Sequence, residues 1–252
     1  MLSGKTALVT GGGRGIGRAI AEALSGAGAR VVVTGRRDAE IRAVASATGG
    51  VAIVADLSNR TGVGDLVAAV KREVGRVDVL VNNAGIAESA PFDRTSDESW
   101  DRLIELNATV PFLICRALVP DMVKNGWGRV VNVASNAGRT GYAYTSAYCA
   151  SKHALVGLTR AMAVELARSG VTVNAVCPGW VKTDMAKDAA NRIAEKTKRS
   201  EADAEAALAA MSPQNRLMEA REVAHLVLAL AGDAAQGVNG QAIPLDGGQV
   251  MA

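Results

Sequence analysis

The sequence has little net charge and no long block of one sign. Its 28 Lys and Arg residues nearly balance its 25 Asp and Glu residues, so the formal net charge is only +3. A protein that binds nucleic acid or a membrane surface usually concentrates basic residues in one patch or along one helix. The sequence also lacks an uninterrupted apolar run long enough to span a bilayer. We therefore expect neither a nucleic-acid partner nor a membrane partner.

Cysteine is scarce, and its spacing argues against a metal site. Cys115, Cys149 and Cys177 are odd in number and far apart, outside the spacings of metal-binding motifs. We interpret them as buried thiols of a protein in a reducing compartment. Residues 1–10 also lack the apolar stretch and cleavage site of a secretory signal peptide. Together these features predict a cytoplasmic protein without a metal.

No internal repeat and no low-complexity linker divides the chain. Its 252 residues are 49% hydrophobic, which is enough material for one well-buried core. A chain of this length suits a single α/β domain at least as well as two small ones. We therefore predict one domain over residues 1–252.

Short β-branched segments alternate with longer amphipathic segments. The predicted strands are apolar on both faces, as in a parallel sheet covered by helices on each side, and span 6–10, 30–34, 51–55, 77–81, 129–134, 171–177 and 241–245. The predicted helices span 15–27, 38–47, 59–74, 97–123, 146–168 and 220–231. This alternation predicts an α/β fold, with a single Rossmann-type, doubly wound parallel sheet of about seven strands flanked by helices.

One segment interrupts the alternation of strands and helices. Between residues 183 and 216 the chain is alanine-rich, highly charged and apparently helical, with no strand of its own. An insertion at the carboxyl edge of the strands lies over the usual ligand crevice of such a sheet. We therefore predict a helical flap at about 184–215, with a surface insertion of no functional role as the alternative.

A glycine-rich turn lies between the first predicted strand and the first predicted helix. The segment reads Thr10-Gly11-Gly12-Gly13-Arg14-Gly15-Ile16-Gly17. Glycines at this place allow backbone N–H groups to approach a pyrophosphate at the positive end of the helix dipole. Their spacing is wider than the standard dinucleotide pattern G-x-G-x-x-G, but the position in a β-α-β unit favours a dinucleotide site.

The end of the second predicted strand indicates which dinucleotide binds. An acidic residue at the tip would bind the ribose 2′-hydroxyl of NAD, whereas a 2′-phosphate needs cations. Gly35 occupies the tip, Arg36 follows it, and Arg14 can point to the same place. Two guanidinium groups near one ribose favour NADP(H), because arginine binds phosphate bidentately. Asp38, if turned inward, would contact the ribose, so NAD(H) remains the alternative.

Tyr148 and Lys152 are four residues apart within a predicted helix, so both side chains leave the same face. An ammonium group about 4 Å from a phenol, at an effective dielectric near 20, favours the phenolate by about 4 kcal/mol, or roughly three pKa units. We therefore expect Tyr148 to have a lowered pKa that suits proton transfer. Ser135 precedes the pair by one short segment and could hold a substrate oxygen beside the phenol. The alternative is an ordinary polar pair on a solvated helix.

In these segments the sequence resembles the short-chain dehydrogenase/reductase family, and the resemblance covers essentially the whole chain. The matching segments are the glycine pattern of 10–17, Asn82-Asn83-Ala84-Gly85, the tetrad Asn107, Ser135, Tyr148 and Lys152, Pro178-Gly179-Trp180-Val181-Lys182-Thr183, and Asp246-Gly247-Gly248.

The resemblance implies a role for each matching residue. Tyr148 would exchange a proton with the substrate oxygen, Lys152 would lower its pKa and bind the nicotinamide ribose, and Ser135 would orient the substrate. Asn107 would hold a water chain that connects Lys152 to solvent. The implied cofactor-binding residues are Gly11, Arg14, Gly15, Ile16, Gly17, Arg36, Arg37, Asp56, Leu57, Asn83, Ala84, Gly85, Tyr148, Lys152, Pro178, Gly179, Val181 and Thr183.

The candidate substrate residues are mostly apolar and indicate a carbon-rich ketone or secondary alcohol. They are Gly138, Tyr142, Tyr144, Cys149, Trp180 and Met185. Four flap cations, Arg192, Lys196, Lys198 and Arg199, could meet the phosphates of an acyl thioester such as coenzyme A, or could form a solvated helix face. The stretch 148–183 is similar to 3-oxoacyl and polyketide ketoreductases.

These features predict an NADP(H)-dependent oxidoreductase that interconverts a ketone and a secondary alcohol, of the 3-oxoacyl type or cyclic or aryl. An NAD-dependent dehydrogenase of a secondary alcohol or a 3-hydroxyacyl compound is the alternative enzyme. A dinucleotide-binding regulatory or structural protein without turnover is the alternative of another class. The resemblance also implies a homotetramer, or a homodimer, built on the helices at 97–123 and 146–168.

Overall fold

The computed structural model of the chain describes residues 1–251. Seven parallel strands form one sheet: β1 (Thr6–Thr10), β2 (Arg30–Gly35), β3 (Val51–Val54), β4 (Val79–Asn82), β5 (Gly128–Val133), β6 (Val171–Pro178) and β7 (Ala242–Leu245). Their order in the sheet is β3-β2-β1-β4-β5-β6-β7. The predicted doubly wound parallel sheet is therefore confirmed, with strand ends that differ from the prediction by at most two residues.

Helices cover both faces of the sheet. They are α1 (Gly15–Gly26), α2 (Asp38–Thr48), α3 (Arg60–Val74), α4 (Asp97–Ile104), α5 (Val110–Lys124), α6 (Ser146–Glu165), α7 (Asp184–Thr197), α8 (Glu201–Ala209) and α9 (Ala220–Ala231). Successive strand residues point to opposite faces, so Val31 and Val33 of β2 pack with α1, α2 and α9, while Val32 packs with α3 and α5. This burial on both faces explains why the strands are apolar throughout.

The helix predicted over 97–123 contains a π-helical turn, Glu105–Thr109, between α4 and α5. Pro111 has no N–H group to donate to the carbonyl of Asn107, so the regular i→i−4 bonding is interrupted there. By length and composition, this helix is long and apolar enough to cross a membrane. Its Ile114, Leu118 and Met122 are buried against the sheet, which explains its apolar composition as that of a core helix.

Two side chains fix the carboxyl end of β1 to that of β4. The Thr10 hydroxyl oxygen accepts the backbone N–H groups of Asn83 (2.9 Å) and Ala84 (3.0 Å). The Asn83 amide donates to the carbonyls of Thr10 (2.8 Å) and Gly11 (3.1 Å). After these strands the chain diverges to the two faces of the sheet, and a crevice opens at this switch point.

The segment predicted as a flap consists of α7 and α8, separated by Lys198 in the left-handed region with φ +55°. Small side chains join the two helices: Ala189, Ala190 and Ala194 of α7 pack with Ala204 and Leu208 of α8. The helical character predicted for this segment is confirmed, and its position over the crevice is described below.

Candidate active site

A cleft of about 900 Å³ lies at the carboxyl ends of the strands. Its walls come from the β1–α1 turn, the end of β2, the segment after β4, the start of α6, the segment after β6 and the flap helices. Doubly wound sheets bind their ligands at this edge. Every residue of the predicted cofactor-binding set lines this cleft.

The glycines of the turn bring its backbone close to the cleft. A Cβ atom on Gly17 would lie 2.2 Å from the Gly11 carbonyl oxygen, and Gly11 itself has φ +63°. The N-cap residue of α1, Arg14, makes no side-chain hydrogen bond to the helix, so the first N–H groups of α1 lack a capping side chain. This turn fits the diphosphate of a dinucleotide, because N–H groups at a helix start stabilise an anion.

At the end of β2, Asp38 is the acidic residue that could contact a ribose, and its side chain faces away from the cleft. The Asp38 carboxylate accepts a hydrogen bond from Arg42 Nε at 2.6 Å, and Asp38 does not line the cleft. Arg36 lines the cleft and forms no ion pair within the described residues, although its charge helps to lower the pKa of Asp56, after the larger effect of hydrogen bonds from Ser58.

Arg14 and Arg37, the other two cations at this end, are already paired. Arg14 Nη1 lies 2.5 Å from Asp184 Oδ2 at the start of α7, which connects the glycine turn to the flap. Arg37 Nη1 lies 2.6 Å from Glu40 Oε1. The expectation that Arg14 turns to the same place as Arg36 is therefore wrong for this structure, because the flap supplies a carboxylate that the sequence pattern did not place.

Ser135, Tyr148 and Lys152 meet on the wall of the cleft. Ser135 is the second residue after β5. Its hydroxyl oxygen accepts a hydrogen bond from the N–H of Ala137 at 3.1 Å. Lys152 Nζ donates to the Val133 carbonyl at 3.0 Å and lies 5.9 Å from the centre of the Tyr148 ring. The helical spacing on α6 and the end of β5 thus bring a hydroxyl, a phenol and an ammonium group together.

Desolvation dominates the electrostatics of this group. It raises the pKa of Tyr148, while a hydrogen bond with Ser135 acts in the opposite direction. It also lowers the pKa of Lys152 to about 8. The lowered Tyr148 pKa that we expected from the sequence is therefore wrong for this structure: Lys152 is only 5% exposed and directs its ammonium group to a backbone carbonyl.

Asn107 is fully buried in the π turn and does not line the cleft. Its side chain donates to the Ile86 carbonyl (2.9 Å) and to Ser151 Oγ (3.0 Å), and accepts the Ile86 N–H at 3.0 Å. A Cβ atom on Gly85 would lie 2.9 Å from Asn107 Oδ1 and 3.5 Å from Lys152 Nζ. Asn107 therefore fixes the segment after β4 close to Lys152, and its implied water chain stays a prediction.

Four of the six candidate substrate residues line the cleft: Tyr142, Tyr144, Trp180 and Met185. Gly138 does not, because its α-carbon packs against the backbone of α6, where a Cβ atom would lie 2.8 Å from the Lys152 carbonyl oxygen. Cys149 is also outside the cleft. It follows Tyr148 on the helix, so its buried thiol points elsewhere and contacts Thr145 Oγ1 at 3.3 Å.

The sequence reasoning missed several polar residues of the cleft. Glu88 accepts hydrogen bonds from Ser99 (2.6 Å) and Arg102 (3.0 Å) at the mouth. Asn136 and Gln249 also line the cleft and contact each other at 3.1 Å. For Gln249, the sequence did offer a signal, because the family-like segment Asp246-Gly247-Gly248 directly precedes it. Of the four flap cations, Arg192 and Lys196 line the cleft, whereas Lys198 and Arg199 do not.

Comparison with known proteins gives one consistent result. The family model described as short chain dehydrogenase matches residues 5–194. The chain is 38% identical to D-beta-hydroxybutyrate dehydrogenase of Cupriavidus necator, over 99% of each chain. It is 35% identical to the 3-oxoacyl-[acyl-carrier-protein] reductase FabG of Escherichia coli, over 98% of each chain. A crystal structure of a variant of actinorhodin polyketide ketoreductase with NADPH superimposes with a TM-score of 0.93 at 37% identity, over 97% of each chain.

These relatives act, by their names, on ketones or on the corresponding hydroxyl compounds, and they match this chain over nearly its whole length. The matched segment includes the glycine turn, Ser135, Tyr148 and Lys152. The chain therefore belongs to the short-chain dehydrogenase/reductase family and is an oxidoreductase that acts on CH–OH groups.

Proposed function

We propose that this protein is an NADP(H)-dependent reductase that interconverts a ketone, of the 3-oxoacyl type or cyclic or aryl, and a secondary alcohol. The observation that carries the proposal is the meeting of Ser135, Tyr148 and Lys152 in a cleft that begins at the glycine turn. The mainly apolar side chains nearby, including Trp180, Met185 and Ile193, suit a carbon-rich substrate. The similarity to ketoreductases supports the same reaction class.

In this mechanism the cofactor, when bound, supplies the hydride. The glycine turn would hold its diphosphate, Lys152 its nicotinamide ribose, and Thr183 the carboxamide end. Ser135 and Tyr148 donate hydrogen bonds to the substrate oxygen, where negative charge grows during reduction. Because desolvation raises the pKa of Tyr148, the phenol is protonated at neutral pH and can give its proton to that oxygen.

Removal of the Tyr148 hydroxyl should abolish most of the turnover. We expect Tyr148→Phe to lower kcat for ketone reduction by about 10²- to 10⁴-fold, because the positioned proton donor is lost. The dissociation constant of NADPH, measured on the same preparation, should change little and serves as the folding control. Retention of activity within a few-fold of the unmodified protein would remove Tyr148 from the mechanism.

The rate of reduction should depend on pH through Lys152. Its pKa of about 8 means that the ammonium group is present below that pH and lost above it. Because Lys152 holds the nicotinamide ribose, we expect kcat/KM for NADPH at saturating ketone to be nearly constant from pH 6 to 7 and to fall above pH 8, by up to about tenfold per pH unit. A profile that stays flat to pH 10 would contradict this role of Lys152.

The choice of NADP(H) rests on the end of β2. Arg36 lines the cleft without an ion pair in the described part of the chain, while Asp38 is bonded to Arg42 and faces away. A free guanidinium group near the ribose suits a 2′-phosphate. The ketoreductase relative whose structure contains NADPH supports the same choice.

Arg36→Gln should separate the two cofactors. We expect the dissociation constant of NADPH to rise by about 10- to 100-fold, since a charge-assisted hydrogen bond is lost, and that of NADH to change by less than about threefold. Arg72→Gln removes a similar exposed guanidinium group outside the cleft and is the matched control. Equal effects on both cofactors would show that Arg36 does not bind a 2′-phosphate and would contradict this basis for NADP(H).

The oxidative direction is the second candidate. The 38% identity to D-beta-hydroxybutyrate dehydrogenase supports oxidation of a 3-hydroxy compound by the same residues, with NAD(P)⁺ as acceptor. The ratio of the two rates at neutral pH, measured with one ketone and its alcohol, distinguishes the directions. A protein that binds the dinucleotide but turns over neither compound would have a regulatory or structural role instead.

We also propose a homotetramer, or a homodimer, built on α4–α5 and α6. These helices carry exposed apolar side chains, including Trp100, Phe112 and Val164, the last 81% exposed. Exposed apolar groups on neighbouring helices are typical of a subunit interface. Light scattering should give four or two times 25.9 kDa, and a monomer would contradict the proposal.

The three buried free thiols support the cytoplasm as the location of the protein.

A further inference from the structure

The segment after β7 forms a rigid turn at the substrate end of the cleft. The Asp246 carboxylate is 3% exposed and accepts the backbone N–H groups of Gly248 (3.1 Å), Gln249 (3.1 Å) and Val250 (3.0 Å). Three N–H groups on one carboxylate fix the backbone of this turn. The turn brings Gln249 to the wall of the cleft, next to Asn136.

The hydrogen bonds of Asn136 decide which way the Gln249 amide points. Asn136 Nδ2 lies 3.5 Å from Asp246 Oδ2 and 3.1 Å from Gln249 Oε1. Because a carboxylate only accepts hydrogen bonds, Asn136 must direct its NH₂ group to Asp246. The same NH₂ group faces Gln249, which must therefore offer its oxygen. The Gln249 NH₂ group then points away from Asn136.

The Gln249 NH₂ group has no acceptor among the described residues, although Gln249 lines the cleft. Nearby, the Tyr142 hydroxyl is buried and likewise has no hydrogen-bond partner in the described chain. Burial and the Asp246 carboxylate raise the pKa of Tyr142 to about 12, although Asn136 lies close enough to act slightly in the opposite direction. The Gln249 NH₂ group and the Tyr142 hydroxyl can thus both donate a hydrogen bond to a ligand oxygen in this part of the cleft.

This unpaired donor lies beside the catalytic serine. The Ser135 hydroxyl donates to Asn136 Oδ1 at 3.4 Å, so a single carboxamide, that of Asn136, contacts both Ser135 and Gln249. Ser135 and Gln249 are thus neighbours around one carboxamide, and a compound with two carbonyl oxygens on nearby carbon atoms can reach both. A 1,3-dicarbonyl compound has such a pair.

We propose that Gln249 is a specificity-determining residue, whose side-chain NH₂ group donates a hydrogen bond to a second carbonyl oxygen, placed 1,3 to the carbonyl that is reduced. Asn136 and Asp246 are positioning residues, because they fix the direction of the Gln249 amide. The inference rests on the proposed ketone reductase function and selects 3-oxoacyl compounds over simple ketones within it.

The test compares two ketones with the NADPH-bound enzyme: ethyl 3-oxobutanoate, which has the second carbonyl, and 2-hexanone, which does not. Gln249→Met keeps the length of the side chain and removes the donor. We expect the ratio of kcat/KM for the two ketones to fall by about tenfold, mainly through KM for the 3-oxo ester, since one neutral hydrogen bond is lost. Ethyl 4-oxopentanoate, with its second carbonyl one carbon further away, should respond less.

Gln241→Met is the matched control, because Gln241 is exposed, lies outside the cleft and donates to the Asn239 carbonyl. We expect it to leave the ratio unchanged. A ratio that stays within twofold in Gln249→Met, or that falls equally in Gln241→Met, overturns the inference.

A binding measurement separates this inference from the proposed function. If neither ketone is reduced, the dissociation constants of the same two ketones from the NADPH complex, measured by calorimetry, should still show about a tenfold change in their ratio for Gln249→Met. That result would reject the reductase function and retain the role of Gln249. Equal changes for both ketones would reject the role of Gln249 whether or not turnover occurs.

Discussion

The site depends on the hydrogen bonds that fix the carboxyl ends of β1 and β4 to each other. Where the chain leaves a parallel sheet, backbone groups lose their partners in the ladder, and buried ones need replacements. Two side chains supply these replacement partners. The Thr10 hydroxyl oxygen accepts two backbone N–H groups, and the Asn83 amide donates to two backbone carbonyls. These hydrogen bonds hold Gly11 and Gly17 close together beside Asn83. A side chain at Gly17 would collide with Gly11 and Asn83 and would disrupt the hydrogen bonds. The glycine turn therefore contributes its backbone to the crevice at the ends of β1 and β4.

A second constraint is the desolvation of Lys152, which is buried, and of Tyr148, which is partly buried on the wall of the cleft. Desolvation favours the neutral form of each group, so it raises the pKa of the phenol and lowers that of the amine. The pair is thus not a simple ion pair on a helix surface. Lys152 is held by the Val133 carbonyl at the end of β5, and the absence of a side chain at Gly85 leaves room for the Asn107 amide beside it. Packing around the pair, more than mutual attraction, sets its electrostatics.

The flap and the C-terminal turn complete the cleft in different ways. The flap helices pack through alanines and connect to the glycine turn through the exposed Arg14–Asp184 pair, and exposed pairs of this kind contribute only about 0–1 kcal/mol. Such limited packing suits a segment that opens and closes over a ligand. The turn around Asp246 is instead fixed by three backbone hydrogen bonds to this buried carboxylate. The two walls of the cleft are therefore held by different interactions: an exposed ion pair connects the flap to the glycine turn, and a buried carboxylate fixes the turn beside Ser135.

The sequence by itself determined the order of strands and helices, the glycine turn, and the positions of Ser135, Tyr148 and Lys152, because local periodicity and spacing encode them. It could not determine which charged groups find each other across the cleft, since Arg14 and Asp184 are 170 residues apart. Nor did it determine that the Asp38 side chain turns away from the cleft or that Gly138 and Cys149 lie outside it. The position of Gln249 on the cleft wall was also undecided. Burial, and hence the pKa of Tyr148, depends on every element packed around the residue. Only the tertiary structure decides such properties, because desolvation and long-range contacts arise from the whole fold and not from neighbours in the sequence.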